Sequence, residues 1–261
     1  MRAATLREVP QHPNTLRDPR SVRPLTDGAG HPRRTVVAVV DRLLRPAKAR
    51  ALRPVSVALS ARLGPAAPTT LTAVGLLAGV AAALAAAFGS FAPALGLWLL
   101  NRLLDGLDGE VARIAGSADD RGGYLDLVAD RVVYAALPLG AAAGVGGAFG
   151  SPVLVDSPWT WPLAAALLAS YYVNAATVDV LAALLEKRGE GAAAHGDATS
   201  LRMPSGLVEG TETVVLMSLM LAFPAHVPLW LGLTAALVAL TAAQRSVWTA
   251  RALTTPLRRR A

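Results

Sequence analysis

At 261 residues, with 53% hydrophobic and only 16% charged side chains and a mean hydropathy of +0.44, the chain is too apolar for an ordinary soluble domain. Of its 25 Lys and Arg, 13 fall in the first 65 residues against 4 acids, and no folded basic module accompanies them, so the net charge of +7 points to anionic lipid rather than nucleic acid. With no cysteine, disulfide frameworks and thiol chemistry are excluded.

Residues 1–34 are rich in Pro and Arg without an apolar period and read as a disordered basic tail, lacking the apolar core of a secretory signal. Over 35–64, apolar residues alternate in helical fashion with Arg42, Arg45, Lys48, Arg50, Arg53 and Arg62. That pattern fits an amphipathic helix, broken near Pro46 and Pro54, lying in the membrane interface. A plain positively charged flank accounts for the same residues equally well.

Three long runs without Asp, Glu, Lys or Arg organise the rest: Leu63 to Asn101, Val132 to Val178 interrupted only by Asp156, and Thr213 to Gln244. Each can supply two membrane crossings of about 20 residues. Each also has a break near its middle, at Gly89–Pro93, Gly150–Pro162 and Phe223–Pro228. The expected fold class is therefore all-α, a polytopic membrane protein with six transmembrane helices at 67–88, 92–114, 121–148, 159–186, 206–223 and 227–251. They make up a domain over 65–254, preceded by the N-terminal amphipathic interfacial helix and followed by a basic tail over 255–261. The three breaks contain no Lys or Arg, whereas the N-terminal segment, the 113–121 turn, the 187–202 loop and the tail all do. Both termini and the basic loops are thus expected in the cytoplasm.

Small residues mark two faces, Gly75 with Gly79 and the run Gly140 to Gly150, which allow close helix packing within one chain or across a homodimer. Between them lies the stretch Asn101 to Asp130. Asp105 and Asp108 share a helical stripe with Ala112, and Asp126 and Asp130 share a second that begins at Gly122. Gly116 and Ser117 break the pattern between them, so two antiparallel helices bring four carboxylates together. Such a cluster requires cations or protons. All-oxygen donors suit magnesium or manganese, and the set matches a two-metal site for phosphoryl transfer. Gly109, Gly122 and Ala112 keep the groove open to a ligand.

The pattern Asp105-x-x-Asp108-Gly109-x-x-Ala112-Arg113, then eight residues, Gly122-x-x-x-Asp126-x-x-x-Asp130 resembles the signature of the CDP-alcohol phosphotransferase (CDP-alcohol phosphatidyltransferase) family, with every fixed position matched. At roughly one in twenty per residue, eight such identities do not arise by chance. The resemblance implies transfer of a phosphatidyl group from a CDP-lipid, CDP-diacylglycerol above all, to an alcohol acceptor with release of CMP. It implies metal binding by Asp105, Asp108, Asp126 and Asp130, and Asp130 as the base toward the acceptor hydroxyl. Gly109, Ala112, Arg113 and Gly122 would receive the cytidine phosphate end, and Thr69 and Thr70, after Pro68, would contact the nucleotide, although helix capping explains these threonines as well. Asp119 and Arg121 depart from the family's usual turn residues.

The acceptor is expected to be of the glycerol 3-phosphate, inositol phosphate or phosphatidylglycerol type, with Arg131, Lys187, Arg188 and Arg202 available to a phosphate or serving as flank charges. A choline or ethanolamine phosphotransferase is the alternative within the family. A cation transporter using the same carboxylates is the alternative outside it, opposed by the confinement of polar groups to one side. Asn174, Asp179, Glu209, Glu212, Gln244 and Arg245 fall at the depth of the motif and suggest a polar bowl in which Arg245 pairs with Glu209 or Glu212. The tryptophans, Trp98 among them, read as interfacial anchors or lipid-facing bulk.

Overall fold

The computed structural model describes residues 52–62, 64–117, 119–188, 207–208 and 210–253. The tail 1–34, the first part of the amphipathic segment, Glu209, Arg202 and the tail 255–261 lie outside the described residues. Among the described residues, six α-helices follow one another from Ala67 onward: α1 (Ala67–Ala87), α2 (Phe91–Ala115), α3 (Asp120–Val145), α4 (Thr160–Lys187), α5 (Gly210–Ala222) and α6 (Val227–Leu253). Among the described residues there is no strand, so the protein is all-α. Four stretches are long and apolar enough to cross a membrane, Ala67–Ala87, Asp120–Val145, Thr160–Lys187 and Pro224–Arg251. In α2 the second half carries Arg102, Asp105, Asp108, Glu110 and Arg113, which lowers its mean hydropathy.

Local chemistry sets the boundaries. Pro68 sits in the first turn of α1, where a missing N–H costs nothing. Gly89 adopts φ +76 between α1 and α2, and Gly116 adopts φ +62 at the end of α2, both in the left-handed region that glycine tolerates. Asp119 caps α3, its Oδ1 accepting from the Gly122 N–H at 2.7 Å. Helix ends agree with the sequence expectation to within three residues, except the start of α5 at Gly210. α3 stops at Val145 rather than 148 because Gly147, at φ +69, turns the chain.

α1 packs along both α2 and α3, α4 packs along α6, and α5 touches α2 and α6. The glycine faces explain how closely α1 meets α3. A Cβ on Gly140 would run into the Ala83 carbonyl and one on Gly144 into the Ala86 carbonyl, while one on Gly79 would strike Val133. These faces are thus consumed inside the chain. The main core gathers Trp98, Leu137, Leu167, Met217, Met220, Leu221 and Leu231. Trp98 is fully buried there and its Nε1 donates to Ser218 Oγ at 3.1 Å, which corrects the reading of this residue as an interfacial anchor. Its neighbours along the chain explain the correction, since it precedes a buried cation by one turn. Residues 52–62 are helical, Pro54 included, and Leu52 and Leu59 pack beside Ala67, Leu71, Leu107 and Val111 at the motif end of α1 and α2.

Substituting Gly144→Val should lower stability by about 1–3 kcal/mol or more, since backbone must move to admit the side chain. Gly96→Ala, where nothing lies within 4 Å of the added carbon, should be neutral or stabilise by up to about 1 kcal/mol. Thermal unfolding in detergent separates the two; equal melting temperatures would contradict this packing.

Candidate active site

The cavity sits where α1, α2 and α3 meet. Its wall is Thr72, Gly75 and Leu76 from α1, Asn101, Asp105 and Asp108 from α2, and Asp126, Ala129 and Asp130 from α3. It is a small cleft open to solvent rather than an enclosed chamber. All four motif carboxylates face this one space, two from each helix. Helical periodicity is the cause. Steps of three and four residues return Asp105 to Asp108 and Asp126 to Asp130 on the faces that α2 and α3 turn toward α1.

The carboxylates are held differently. Asp108 is 5% exposed and its Oδ2 accepts from Thr72 Oγ1 at 2.6 Å. The same hydroxyl lies 3.0 Å from the Pro68 carbonyl, but it has one proton, and the shorter contact to the carboxylate takes it. Asp126 borders the same space as Asp105, Asp108 and Asp130. Asp130 Oδ1 accepts from Arg102 Nη2 at 2.7 Å, and Arg102 Nη1 lies 3.7 Å from Asp105 Oδ2.

Arg102 is the unexpected member. Its Nε donates to Asn101 Oδ1 at 2.8 Å and its Nη1 to Tyr134 Oη at 3.1 Å. Its Cζ stands 4.7 Å from the Trp98 ring centre and 5.1 Å from that of Tyr134. Asn101 in turn donates from Nδ2 to the Gly75 carbonyl at 2.8 Å, tying the assembly to α1.

The remaining positions singled out from the sequence fall nearby without lining the cavity. Arg113 is exposed and bonded to Glu110 Oε2 at 2.7 Å, with Gly109 beside it and Ala112 on the same helical turn. Gly122 serves the Asp119 cap. Thr69 and Thr70 are exposed; Thr70 Oγ1 donates back to Ala66 at 2.9 Å, and Thr72 is the threonine that reaches the cavity. Arg131 pairs with Asp179 at 2.6 Å, and Arg245 donates from Nη1 to Asn174 Oδ1 at 2.9 Å.

Two signals in the sequence mark what was missed. Thr72 shares its helical stripe with Gly75 and Gly79 rather than with its threonine neighbours. Arg102 ends a long uncharged run three residues before Asp105, where a buried cation requires a partner.

As a donor set the four carboxylates fit a hard divalent cation, because all their atoms are oxygen and all border one open cavity. Among the described residues no three acidic, histidine or cysteine side chains are drawn together tightly enough to hold an ion as they stand.

A family model described as CDP-alcohol phosphatidyltransferase matches residues 66–243. The inner membrane protein YnjF of Escherichia coli (strain K12) is 36% identical over 159 residues, which is 60% of this chain and 70% of that protein. The crystal structure of Mycobacterium tuberculosis phosphatidylinositol phosphate synthase (PgsA1) with CDP-DAG bound has the same fold, with a TM-score of 0.59 at 22% identity over 77% of this chain and 94% of that one. The structure of the same enzyme in complex with manganese and citrate gives 0.57 at 23% identity over 80% and 93%.

Thr72→Val should reduce metal-free stability by about 1.5–3 kcal/mol, because Asp108 loses a bond to a charged acceptor. Thr70→Val, on the exposed face, should stay within about 0.5 kcal/mol of the parent. Paired melting curves test this, and an equal response at the two positions would contradict the role given to Thr72.

Proposed function

The chain belongs to the CDP-alcohol phosphatidyltransferase family, and from that premise we propose that it transfers a phosphatidyl group from CDP-diacylglycerol to the hydroxyl of a polar alcohol, releasing CMP. The observation that carries this reading is the convergence of Asp105, Asp108, Asp126 and Asp130 on one open cavity in an integral membrane protein. A donor with two acyl chains suits such a scaffold, since its tails stay in the bilayer while its diphosphate enters the cavity. That a manganese complex and a CDP-DAG complex are known for proteins of this fold supports the same assignment.

The four aspartates would hold magnesium or manganese, as one ion or a pair, which supplies charge neutralisation for the diphosphate and for the departing CMP. Asp130 is the base. Its Oδ1 is engaged by Arg102, which leaves Oδ2 to take the proton of the acceptor hydroxyl. Arg113, on the exposed side of α2 with Gly109 and Ala112, exchanges Glu110 for the donor phosphates, and Gly122 lets the nucleotide approach the start of α3. Thr69 and Thr70 present hydroxyl and backbone groups at the head of α1 on the same side.

The acceptor is an alcohol of the glycerol 3-phosphate, inositol phosphate or phosphatidylglycerol type. The charged α2 and the 13-residue α5 complete a six-helix membrane domain beside the four long apolar helices. The absence of Lys and Arg from the linkers at 89–93, 150–162 and 223–228 supports a cytoplasmic position for the motif end and both termini.

Purified protein given CDP-diacylglycerol, magnesium and a panel of alcohols should release CMP with at least one acceptor, and chelation should stop it. Asp126→Asn and Asp130→Asn should each reduce turnover by about 100-fold or more. Undiminished release by either variant would refute the assignment.

A further inference from the structure

Crowding four like charges, one of them buried, at the edge of an apolar bundle is unstable unless something opposes them, and the cavity carries its own opposing charge. Arg102 is 8% exposed. Its three nitrogens each have a partner: Nε meets Asn101 Oδ1 at 2.8 Å, Nη1 meets Tyr134 Oη at 3.1 Å, and Nη2 meets Asp130 Oδ1 at 2.7 Å. The guanidinium also lies close to the Trp98 and Tyr134 rings, which meet edge to face beside it with centroids 6.1 Å apart. No arrangement of this kind serves a solvated surface charge, which would cost little to leave unpaired.

We propose that Arg102 is a resident counter-ion of the aspartate cluster, a positioning residue that holds Asp130 by one oxygen and keeps the cluster assembled when no divalent ion is bound. It reaches one carboxylate of each helix, Asp105 of α2 and Asp130 of α3, so it ties the two halves of the motif together. Lysine could keep the charge but not the fork, since its ammonium cannot address Asn101, Tyr134 and Asp130 at once. The same cation opposes divalent ions by repulsion. Arg102 therefore trades affinity for metal against persistence of the site. The ion-pair part stands on the contacts alone, while the effect on metal rests on the reading of the cavity as a metal site.

The test uses full-length protein in detergent. Melting temperatures in EDTA are compared for the parent, Arg102→Met, Asp130→Asn and the double variant, with Arg102→Lys as the charge-retaining control. Arg102→Met should lose on the order of 10 °C by stranding Asp130, Arg102→Lys clearly less, and the double variant less than the sum of its parts. Additive losses, or a lysine variant no better than methionine, would overturn the proposal. Manganese titration followed by its paramagnetic signal supplies the second readout. Arg102→Met should bind manganese on the order of tenfold more tightly than the parent, and unchanged or weaker binding would overturn the opposition claimed here. If manganese binds neither form, the metal reading of the cavity fails, and the melting cycle still decides whether Arg102 is the counter-ion.

Discussion

Mutual repulsion among four carboxylates is the constraint to which this bundle answers. Asp105, Asp108, Asp126 and Asp130 share one cavity, and the chain supplies groups that oppose their repulsion, a threonine hydroxyl at Asp108 and an arginine at Asp130 and Asp105. A soluble protein could leave such a cluster to water. Here the walls are apolar helices, and the compensating groups must come from the chain or from bound cations.

That compensation depends on close helix packing. Gly140 and Gly144 let α3 approach α1 until backbone meets backbone, and Gly79 admits Val133. Between α1 and α2, Thr72 reaches Asp108 and Asn101 reaches the Gly75 carbonyl while orienting Arg102. α4, α5 and α6 close the other side, with Trp98 and Ser218 linking α2 to α5 and Asn174 with Arg245 linking α4 to α6.

Much of this was legible in the sequence for a physical reason. Uncharged runs long enough to cross a bilayer leave few alternatives to helices, and left-handed glycines mark where they end, so helix limits followed closely. Carboxylates at helical spacing declared their shared faces. What stayed hidden depended on tertiary partners. Arg102 looks like the polar edge of a motif until α3 supplies Asp130 and Tyr134. Trp98 looks like bulk until the cation lies over its ring. The choice among Thr69, Thr70 and Thr72 turns on which side of α1 faces α2, and three adjacent threonines do not reveal that by type.

The role proposed for the four aspartates is to hold divalent ions together against a diphosphate. Anomalous diffraction from crystals grown with manganese tests it. An anomalous peak is expected inside the cavity, ligated by carboxylate oxygens from both α2 and α3, with Arg102 still bound to Asp130. Manganese located elsewhere, or ligated from one helix alone, would contradict it.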